Sequence, residues 1–418
     1  MRGAFRALAY RNYRLFFGGQ TLSLIGSWME TIAMSWLVYR LTGSSLLLGT
    51  VAFCSQVPAF VMSPFAGITV DRHDRRNMLL ITQSLMAVEA FILAALTLTK
   101  VVQPWHIVCT SIFVGMVAAF DMPTRQAFVS QMVEDKKVLG NAIALNSAQF
   151  NLARLIGPAI AGVTVAAVGE GYCFLINGIS FAAVLGALLA MRFPAHVVRE
   201  NKENPIERVK AGAAYAWNHK PISYLLLLMA VTSLVAGAYG VMLPVLTKLV
   251  YHRGSDIFGL LYSASAIGAL GAGWMLAVRR NVLGLTRWIF YSSTIFNLGL
   301  IGLAFSPQLW MALCWLVVIG FGSMKHMGAT NTLIQTVVDD HVRGRVMAFY
   351  MMSFVGTMPF GSLIGGALAE HIGPKWTLLA AAAVGLTGCT LYNLLLPNMR
   401  RILKPIYEDL GILQPAGQ

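Results

Sequence analysis

Charged residues and catalytic motifs are scarce in this sequence of 418 residues. Only 11% of the residues are charged, whereas 57% are hydrophobic; a soluble globular domain carries about 25% charged residues. The sequence has no GxxxxGK[ST] loop that would bind a nucleotide, and neither HExxH nor GxSxG occurs in it. We therefore expect a membrane protein that is not an enzyme and that holds no cofactor.

Cysteine is also rare and follows no pattern. None of the cysteines stands in a CxxC pair or at metal-ligand spacing. Free cysteine in apolar segments behaves as a small buried hydrophobe, so no metal site is predicted. The five cysteines are Cys54, Cys109, Cys173, Cys314 and Cys389.

Long apolar stretches are what the sequence has in abundance. Stretches of about 20 residues recur, which is the length that crosses the hydrocarbon core of a bilayer as a helix. We predict an all-α membrane protein with twelve transmembrane helices. The predicted spans are 14–40, 44–70, 77–99, 104–126, 139–168, 171–191, 222–249, 256–279, 285–305, 308–335, 345–370 and 375–397.

The two halves of the chain resemble each other at an offset of 204 residues. The offset aligns glycines, arginines and turn residues without a gap, among them Gly67 with Gly271, Arg75 with Arg279, and Gly157 with Gly361. Such a repeat predicts two pseudo-symmetric six-helix bundles with a substrate path between them. We place the bundles at 1–191 and 221–418, with a cytoplasmic linker at 192–220. Residues 206–217 of the linker form either an amphipathic helix on the membrane surface or part of a flexible tether.

Basic residues are distributed unequally between alternate loops. Of the 31 Lys and Arg residues, 23 fall in the two tails and the even-numbered loops, and five fall in the odd-numbered loops. By the positive-inside rule, both termini and the central loop are cytoplasmic. The basic N-terminal stretch has no cleavage site, so we expect a tail that enters helix 1. The net charge of +14 then meets anionic lipids of the inner leaflet, and no nucleic acid partner is expected.

The loop between predicted helices 2 and 3 carries a glycine, an acid and several arginines. In this pattern it resembles the Gly-x-x-x-Asp-Arg-x-Gly-Arg-Arg signature of the major facilitator superfamily, and it departs from it at Asp74, where the family has glycine. The resemblance implies a conformational latch for the outward-facing state and the major facilitator fold. The matching residues are Gly67, Asp71, Arg72, Arg75 and Arg76.

Predicted helix 5 carries a second motif, at Gly157, Pro158 and Gly162. It resembles the Gly-Pro-x-x-Gly-Gly antiporter motif of the same superfamily, with Ala161 in place of one glycine. The resemblance implies proton-driven export. The alternative is a helix–helix packing seam, since small residues allow close approach and proline bends a helix.

The runs DMPTRQAF (121–128) and NAIALNSAQFNLARLIGP (141–158) are similar to a subgroup of bacterial siderophore exporters and drug:proton antiporters. The resemblance implies efflux of an amphipathic small molecule by alternating access, driven by the proton gradient. It also implies a monomer in the bacterial inner membrane. The alternatives are an importer or lipid transporter of the same fold and, from another class, a multispan membrane enzyme.

Glu30 is the buried acid that we predict to handle the proton. It is surrounded by apolar and small residues in SWMETIAMSW (27–36), and an ionisable group at such depth faces a cavity or a partner. Counting the rise of each helix from the inner face places Arg154 at a similar depth, so a Glu30–Arg154 proton-coupling pair is predicted. The alternative is a permanent ion pair that fixes packing. Glu89 is also in mid-span, and it is expected to have a lateral or packing role because helix 3 is peripheral in the family fold. The alternative is that Glu89 is the proton site.

Asp121 and Arg125 lie one helical turn apart, and the repeat offset aligns Asp121 with Lys325. We hypothesise that Asp121, Arg125 and Lys325 form a cytoplasmic gate between the halves. The alternative is an Asp121–Arg125 pair within helix 4, which leaves Lys325 to line a cavity for anionic substrates.

The substrate cavity is expected between helices 1, 4, 7 and 10, as the family resemblance implies. Polar and aromatic residues able to contact an amphipathic molecule are the predicted substrate-binding residues. They are Trp28, Trp36, Gln149, Tyr239, His326 and Asn331.

Overall fold

The computed structural model describes residues 5–133, 135–191, 214–279 and 281–413, and these residues form helices and no strand. A short 3-10 helix, Arg6–Ala9, precedes the first long helix. The predicted all-α fold is confirmed, with twelve long helices among the residues that the structure describes. The helices are α1 (Arg11–Thr42), α2 (Ser45–Arg72), α3 (Arg75–Leu98), α4 (Pro104–Met132), α5 (Lys136–Val168), α6 (Glu170–Ala190), α7 (Lys220–Leu249), α8 (Ser255–Val278), α9 (Leu285–Ala304), α10 (Leu309–Val337), α11 (Asp340–Val355) and α12 (Met358–Asp409).

Within the described ranges, nine helical segments are long and apolar enough to cross a membrane. One of these segments, Val342–Asp409, contains both of the last two predicted spans. α12 is kinked at Gly373, whose φ of 79° is left-handed, and this kink separates the two spans. Span 345–370 is itself divided between α11 and the start of α12, which differs from the single helix predicted there.

Helix ends follow from local side-chain chemistry. Ser44 Oγ accepts a hydrogen bond from the Leu47 N–H at the start of α2, and Asp74 Oδ1 accepts from the Asn77 N–H at 2.8 Å at the start of α3. Each of these caps satisfies a backbone donor that has no partner within the helix. Asp74, which replaces the glycine of the family signature, is therefore the N-cap of α3.

The chain divides into two compact units. The first contains Met1–Lys202 and Thr247–Ser263, and the second contains Glu203–Leu246 and Ala264–Gln418. In the first unit α1 packs on α5 and α6, α3 packs on α4 and α6, and α2 packs on α4; in the second, α9 packs on α10 and α12. Most of the predicted linker 192–220, including the start of the helix predicted at 206–217, lies outside the described residues.

Candidate functional site

Three polar side chains from three helices meet inside the first unit. Glu30 of α1 and Glu89 of α3 are 9% and 3% exposed, and Asn177 of α6 is 1% exposed. Asn177 Nδ2 donates a hydrogen bond to Glu30 Oε2, and the carboxyl groups of Glu30 and Glu89 lie close enough for each to act on the other. Glu89 is therefore a neighbour of Glu30, and whether it has a packing role or is a proton site stays a prediction.

The contact between the two carboxyl groups has a chemical requirement. An ionised carboxylate only accepts hydrogen bonds, so a hydrogen bond between Glu30 and Glu89 needs a proton on one of them. Two adjacent like charges in a water-poor interior also repel strongly. A pair that shares one proton would avoid this repulsion, and it would carry one negative charge.

Arg154 is not the partner of Glu30. Among the described residues no ion pair joins Arg154 to an acid, and its Nε is buried without a hydrogen-bond partner. The neighbouring group on which its charge acts is Tyr262, near the start of α8 in the same unit. The predicted Glu30–Arg154 pair is therefore absent from this part of the structure.

The direction of each side chain around α1 explains this difference. A Cβ on Gly157 of α5 would lie 2.5 Å from Trp28 Cβ, and a Cβ on Gly26 would lie 2.6 Å from Asn177 Oδ1. Trp28 thus faces α5, whereas Gly26 faces α6. Successive residues of a helix are about 100° apart, so Glu30 points about 200° away from Trp28 and lies one turn above Gly26, towards α6.

Asp121 of α4 is buried and has three partners within the first unit. Its Oδ1 accepts from Thr82 Oγ1 at 2.8 Å and from Gln83 Nε2 at 2.7 Å. Its Oδ2 lies 2.8 Å from an Arg125 guanidinium nitrogen one helical turn away. This geometry corresponds to the alternative of a pair within the fourth helix. Thr82 and Gln83 were not singled out in the sequence, although two adjacent polar residues in an apolar span were a visible signal.

Lys325 of α10 contacts aromatic rings within the second unit. Its Nζ lies 4.1 Å from the ring centroid of Trp288 and 5.3 Å from that of Phe321, which are cation–π distances. Arg279 covers the same Trp288 ring at 3.9 Å. The role of Lys325 in a gate with Asp121 stays a prediction.

The arginines of the loop between α2 and α3 bind backbone carbonyls. Arg76 donates to Leu188 O at 2.7 Å and to Leu189 O at 3.0 Å, at the end of α6. Arg75 donates to Ala127 O of α4 at 3.2 Å. Arg76 thus satisfies carbonyls at the C-terminus of α6 and complements its dipole, whereas Arg75 contacts a carbonyl within α4. The two arginines connect α3 to α6 and α4.

The other three members of the predicted latch are Arg72, Gly67 and Asp71. Arg72 ends α2 and is exposed. Gly67 and Asp71 also lie in α2, but the side-chain surroundings at both positions fall outside the described part. The latch function therefore stays a prediction.

The motif of α5 is a set of close helix contacts. Besides Gly157 against Trp28, a Cβ on Gly162 would lie 2.7 Å from Ser255 O, and Pro158 O touches Gly259. Ser255 Oγ also donates to Gly162 O at 3.2 Å. All of these residues belong to the first unit, and the geometry is that of a packing seam.

The residues predicted to bind substrate have different surroundings. Trp28 contacts the rings of Phe150 and Tyr262, with centroids 5.8 and 5.9 Å away. Trp36 stacks on Phe258 with a centroid separation of 5.9 Å. These aromatic contacts all lie within the first unit.

Gln149 of α5 contacts α1. It is buried, and its Nε2 donates to Phe17 O at 2.7 Å and to Thr21 Oγ1 at 2.6 Å. In this conformation the Gln149 Nε2 connects α5 to α1, and substrate contact at Gln149 stays a prediction.

The predicted substrate residues of the second unit are only partly accessible. His326 is 1% exposed, beside the backbone of Ile289. Asn331 Oδ1 accepts from Gln335 Nε2 at 2.6 Å, one turn along α10. Tyr239 lies half-buried in α7. Substrate contact at these three positions stays a prediction.

Residues 2–406 match the family model described as a transmembrane secretion effector (MFS_3). A staphyloferrin A transporter of Staphylococcus aureus is 28% identical over 361 residues, covering 86% of this chain and 90% of the relative. The multidrug efflux pump Tap of Mycolicibacterium fortuitum is 25% identical over 365 residues, covering 85% of this chain and 88% of the relative.

A solved structure shows the same fold. The crystal structure of a bacterial homologue of the human lysosomal transporter Spinster, inward-facing and unoccupied, superposes with a TM-score of 0.71 and 14% identity. The match covers 94% of this chain and 98% of that one. The family match and the efflux relatives confirm the predicted major facilitator transporter of the efflux type. This chain, a multi-pass membrane protein, belongs to the transmembrane secretion effector family of the major facilitator superfamily.

Proposed function

We propose that this transporter exports an amphipathic small molecule, a drug or a siderophore, in exchange for protons. The observation that carries the coupling is the pair of buried, neighbouring carboxyl groups of Glu30 and Glu89 inside the first unit. The names of the relatives, a siderophore transporter and a multidrug efflux pump, suggest the two substrate classes. No resident cofactor is needed, because the proton gradient supplies the energy.

The carboxyl pair has two protonation states that suit exchange. With one proton the pair carries one negative charge, and with a second proton it is neutral. A charge within an apolar bundle is costly, so binding or loss of the second proton changes the relative energies of the packings of α1, α3 and α6. A proton taken up from outside, followed by its release to the cytoplasm, then accompanies each export cycle.

The position of the pair along the helices fits access from the outer side. At about 1.5 Å per residue, Glu30 lies about 18 Å from the Thr42 end of α1, and Glu89 about 14 Å from the Leu98 end of α3. We place both ends outside the cell, with the termini in the cytoplasm and the protein, as a monomer, in the bacterial inner membrane.

Proteoliposomes with an imposed pH gradient test the proposal. A transported probe is first selected by a binding screen of dyes, antibiotics and catechol or carboxylate siderophores. Glu30→Gln and Glu89→Gln are each expected to reduce probe-dependent proton flux at least about tenfold, equivalent to about 1.4 kcal/mol. Probe binding by the purified variants should persist, because neither acid is placed in the substrate site.

Glu370→Gln is the matched control, since it makes the same acid-to-amide change at an exposed position of α12. It should transport as the wild type does. Full proton flux in both pair variants would contradict the assignment of the pair. Probe uptake that does not depend on the pH gradient would indicate a facilitator. Movement of the probe in the import direction would indicate an importer, and chemical change of the probe without transport would indicate an enzyme.

A further inference from the structure

A basic cavity lies at one end of the second unit, between the start of α9 and the last turns of α12. Its volume is about 360 Å³, and the residues that line it include Gly284, Arg287, Arg400, Leu403, Lys404 and Tyr407. The transport mechanism proposed above uses none of these residues. The cavity therefore needs an explanation of its own.

The cations of this cavity exceed the acids that meet them. Arg287 and Arg400 are close enough for their charges to act on each other, and Arg400 Nη2 is buried without a hydrogen-bond partner. Over the residues that the structure describes, the one ion pair made by these cations joins Lys404 to Glu408, at 3.8 Å. A buried guanidinium donor without an acceptor is costly, and a bound oxyanion removes this cost.

The backbone adds to the positive potential. α9 begins after Gly284, which is left-handed with φ 81° and provides no side-chain cap. Gly284 and Thr286 both line the cavity, so the positive end of the α9 dipole lies at its wall. Helix N-termini of this kind favour phosphate groups.

The remaining wall is apolar and lies at headgroup depth. Leu283, Leu403, Tyr407 and Leu413 line it beside the cations. α9 has 20 residues, about 30 Å of helix, which equals the hydrocarbon thickness. α9 is the helix of the predicted span 285–305, so we place its first residue, Leu285, where the hydrocarbon meets the headgroups.

We propose that this cavity binds the phosphate group of an anionic phospholipid, with Arg287, Arg400 and Lys404 as its cationic contacts. A free phosphate ion has the same oxyanion chemistry. The apolar wall favours the lipid, because a glycerol backbone and the start of an acyl chain need such a surface. Basic pockets between transmembrane helices are a recognised form of lipid site.

Binding to the purified full chain in neutral detergent tests the proposal. The probes are dioctanoyl phosphatidylglycerol, dioctanoyl phosphatidylcholine and inorganic phosphate, and the readout is Kd from calorimetry or native mass spectrometry. We expect wild type to bind phosphatidylglycerol more tightly than the other two probes. Arg400→Gln and Arg287→Gln should each raise this Kd about tenfold, because each removes a charge-assisted contact.

Arg401→Gln is the matched control, since Arg401 is the exposed neighbour of Arg400 and does not line the cavity. Its Kd should stay within about twofold of wild type, a change of a few tenths of a kcal/mol. Arg400→Lys keeps the charge and should retain most of the binding, which separates charge from folding. Equal losses in Arg400→Gln and Arg401→Gln would overturn the site. Phosphate binding as tight as that of phosphatidylglycerol would overturn the lipid assignment.

Discussion

Asn177 is the residue on which the geometry of the carboxyl pair depends most. It is buried in α6, and its amide donates to Glu30. An amide donor favours whichever carboxylate oxygen is unprotonated, so it directs the shared proton to the other side of the pair. Asn177 was not singled out in the sequence, although an asparagine in the middle of an apolar span was the available signal.

Replacing Asn177 with leucine keeps a similar size and removes the donor. We expect proteoliposome proton flux driven by the selected probe to fall about tenfold, because Glu30 is left with an unsatisfied acceptor. The same loss should destabilise the protein by about 1–3 kcal/mol, visible as a lower unfolding temperature in detergent.

Ser180→Ala is the comparison for Asn177→Leu. Ser180 Oγ donates to the backbone carbonyl of Asn177 at 2.7 Å and to its Oδ1 at 3.3 Å, so its loss removes contacts to oxygen atoms and keeps the Nδ2 donor that contacts Glu30. It should change proton flux much less than Asn177→Leu does. Equal effects of the two variants would show that the region matters only through packing.

The sequence identified Glu30 as the buried acid but not its partner. The rise per residue of a helix gives the depth of a residue in the membrane from sequence alone. By this depth Arg154 is a reasonable neighbour of Glu30. Which side of α1 each residue faces depends on its contacts with α5 and α6. Gly26 and Gly157 set these contacts by their lack of a side chain, and a single sequence does not reveal which helix a glycine touches.

At the scale of helices, close approach at glycine holds α1 against α5. Trp28 Cβ occupies the space that a side chain at Gly157 would need. Small residues allow this approach within a bilayer, where lipid tails are as apolar as the helices and association depends on packing.

Gly157→Ala tests this contact. The added methyl would meet Trp28 Cβ at 2.5 Å, so the two helices must separate at a cost of about 1–3 kcal/mol. A fall in the thermal unfolding midpoint of the purified protein measures the effect.

Gly186→Ala in α6 is the matched change, because no atom lies within 4 Å of a Cβ built there. Alanine is the better helix former by up to about 1 kcal/mol, so this variant should equal or exceed wild type in stability. A similar loss in both variants would argue against the α1–α5 contact.

The number of helices was predictable from sequence because their apolar length is fixed by the bilayer. The break inside span 345–370 was missed, although Pro359 signalled it. Proline cannot donate to the carbonyl four residues earlier and its ring clashes with that carbonyl. α11 ends at Val355, the residue in that position.

At the scale of the whole molecule, basic loop charge predicts the orientation in the membrane. A chain ending at His73 and fused to alkaline phosphatase should be inactive in bacteria, whereas one ending at Lys100 should be active, because the enzyme folds only outside the cytoplasm. A fluorescent protein fused to the full-length C-terminus should fluoresce. The opposite pattern would reverse the orientation and the proposed direction of proton entry.

The repeat also shows that the carboxyl site belongs to one half. At the offset of 204 residues Glu30, Glu89 and Asn177 correspond to Leu234, Ser293 and Ala381. The structure could not be anticipated here, because which unmatched residues meet depends on packing. Glu30, at which the two halves differ in sequence, nevertheless indicated the first half, and the three polar residues do meet there.

The opposed directions of Trp28 and Glu30 on α1 have a mechanical consequence. A helix is stiff about its own axis, so a rotation that carries Trp28 out of the aromatic contacts with Phe150 and Tyr262 also carries Glu30 off Asn177 and Glu89. Displacement of the Trp28 ring by a substrate and exposure of Glu30 are then two results of the same rotation of α1. No chain of relayed contacts is needed to connect them.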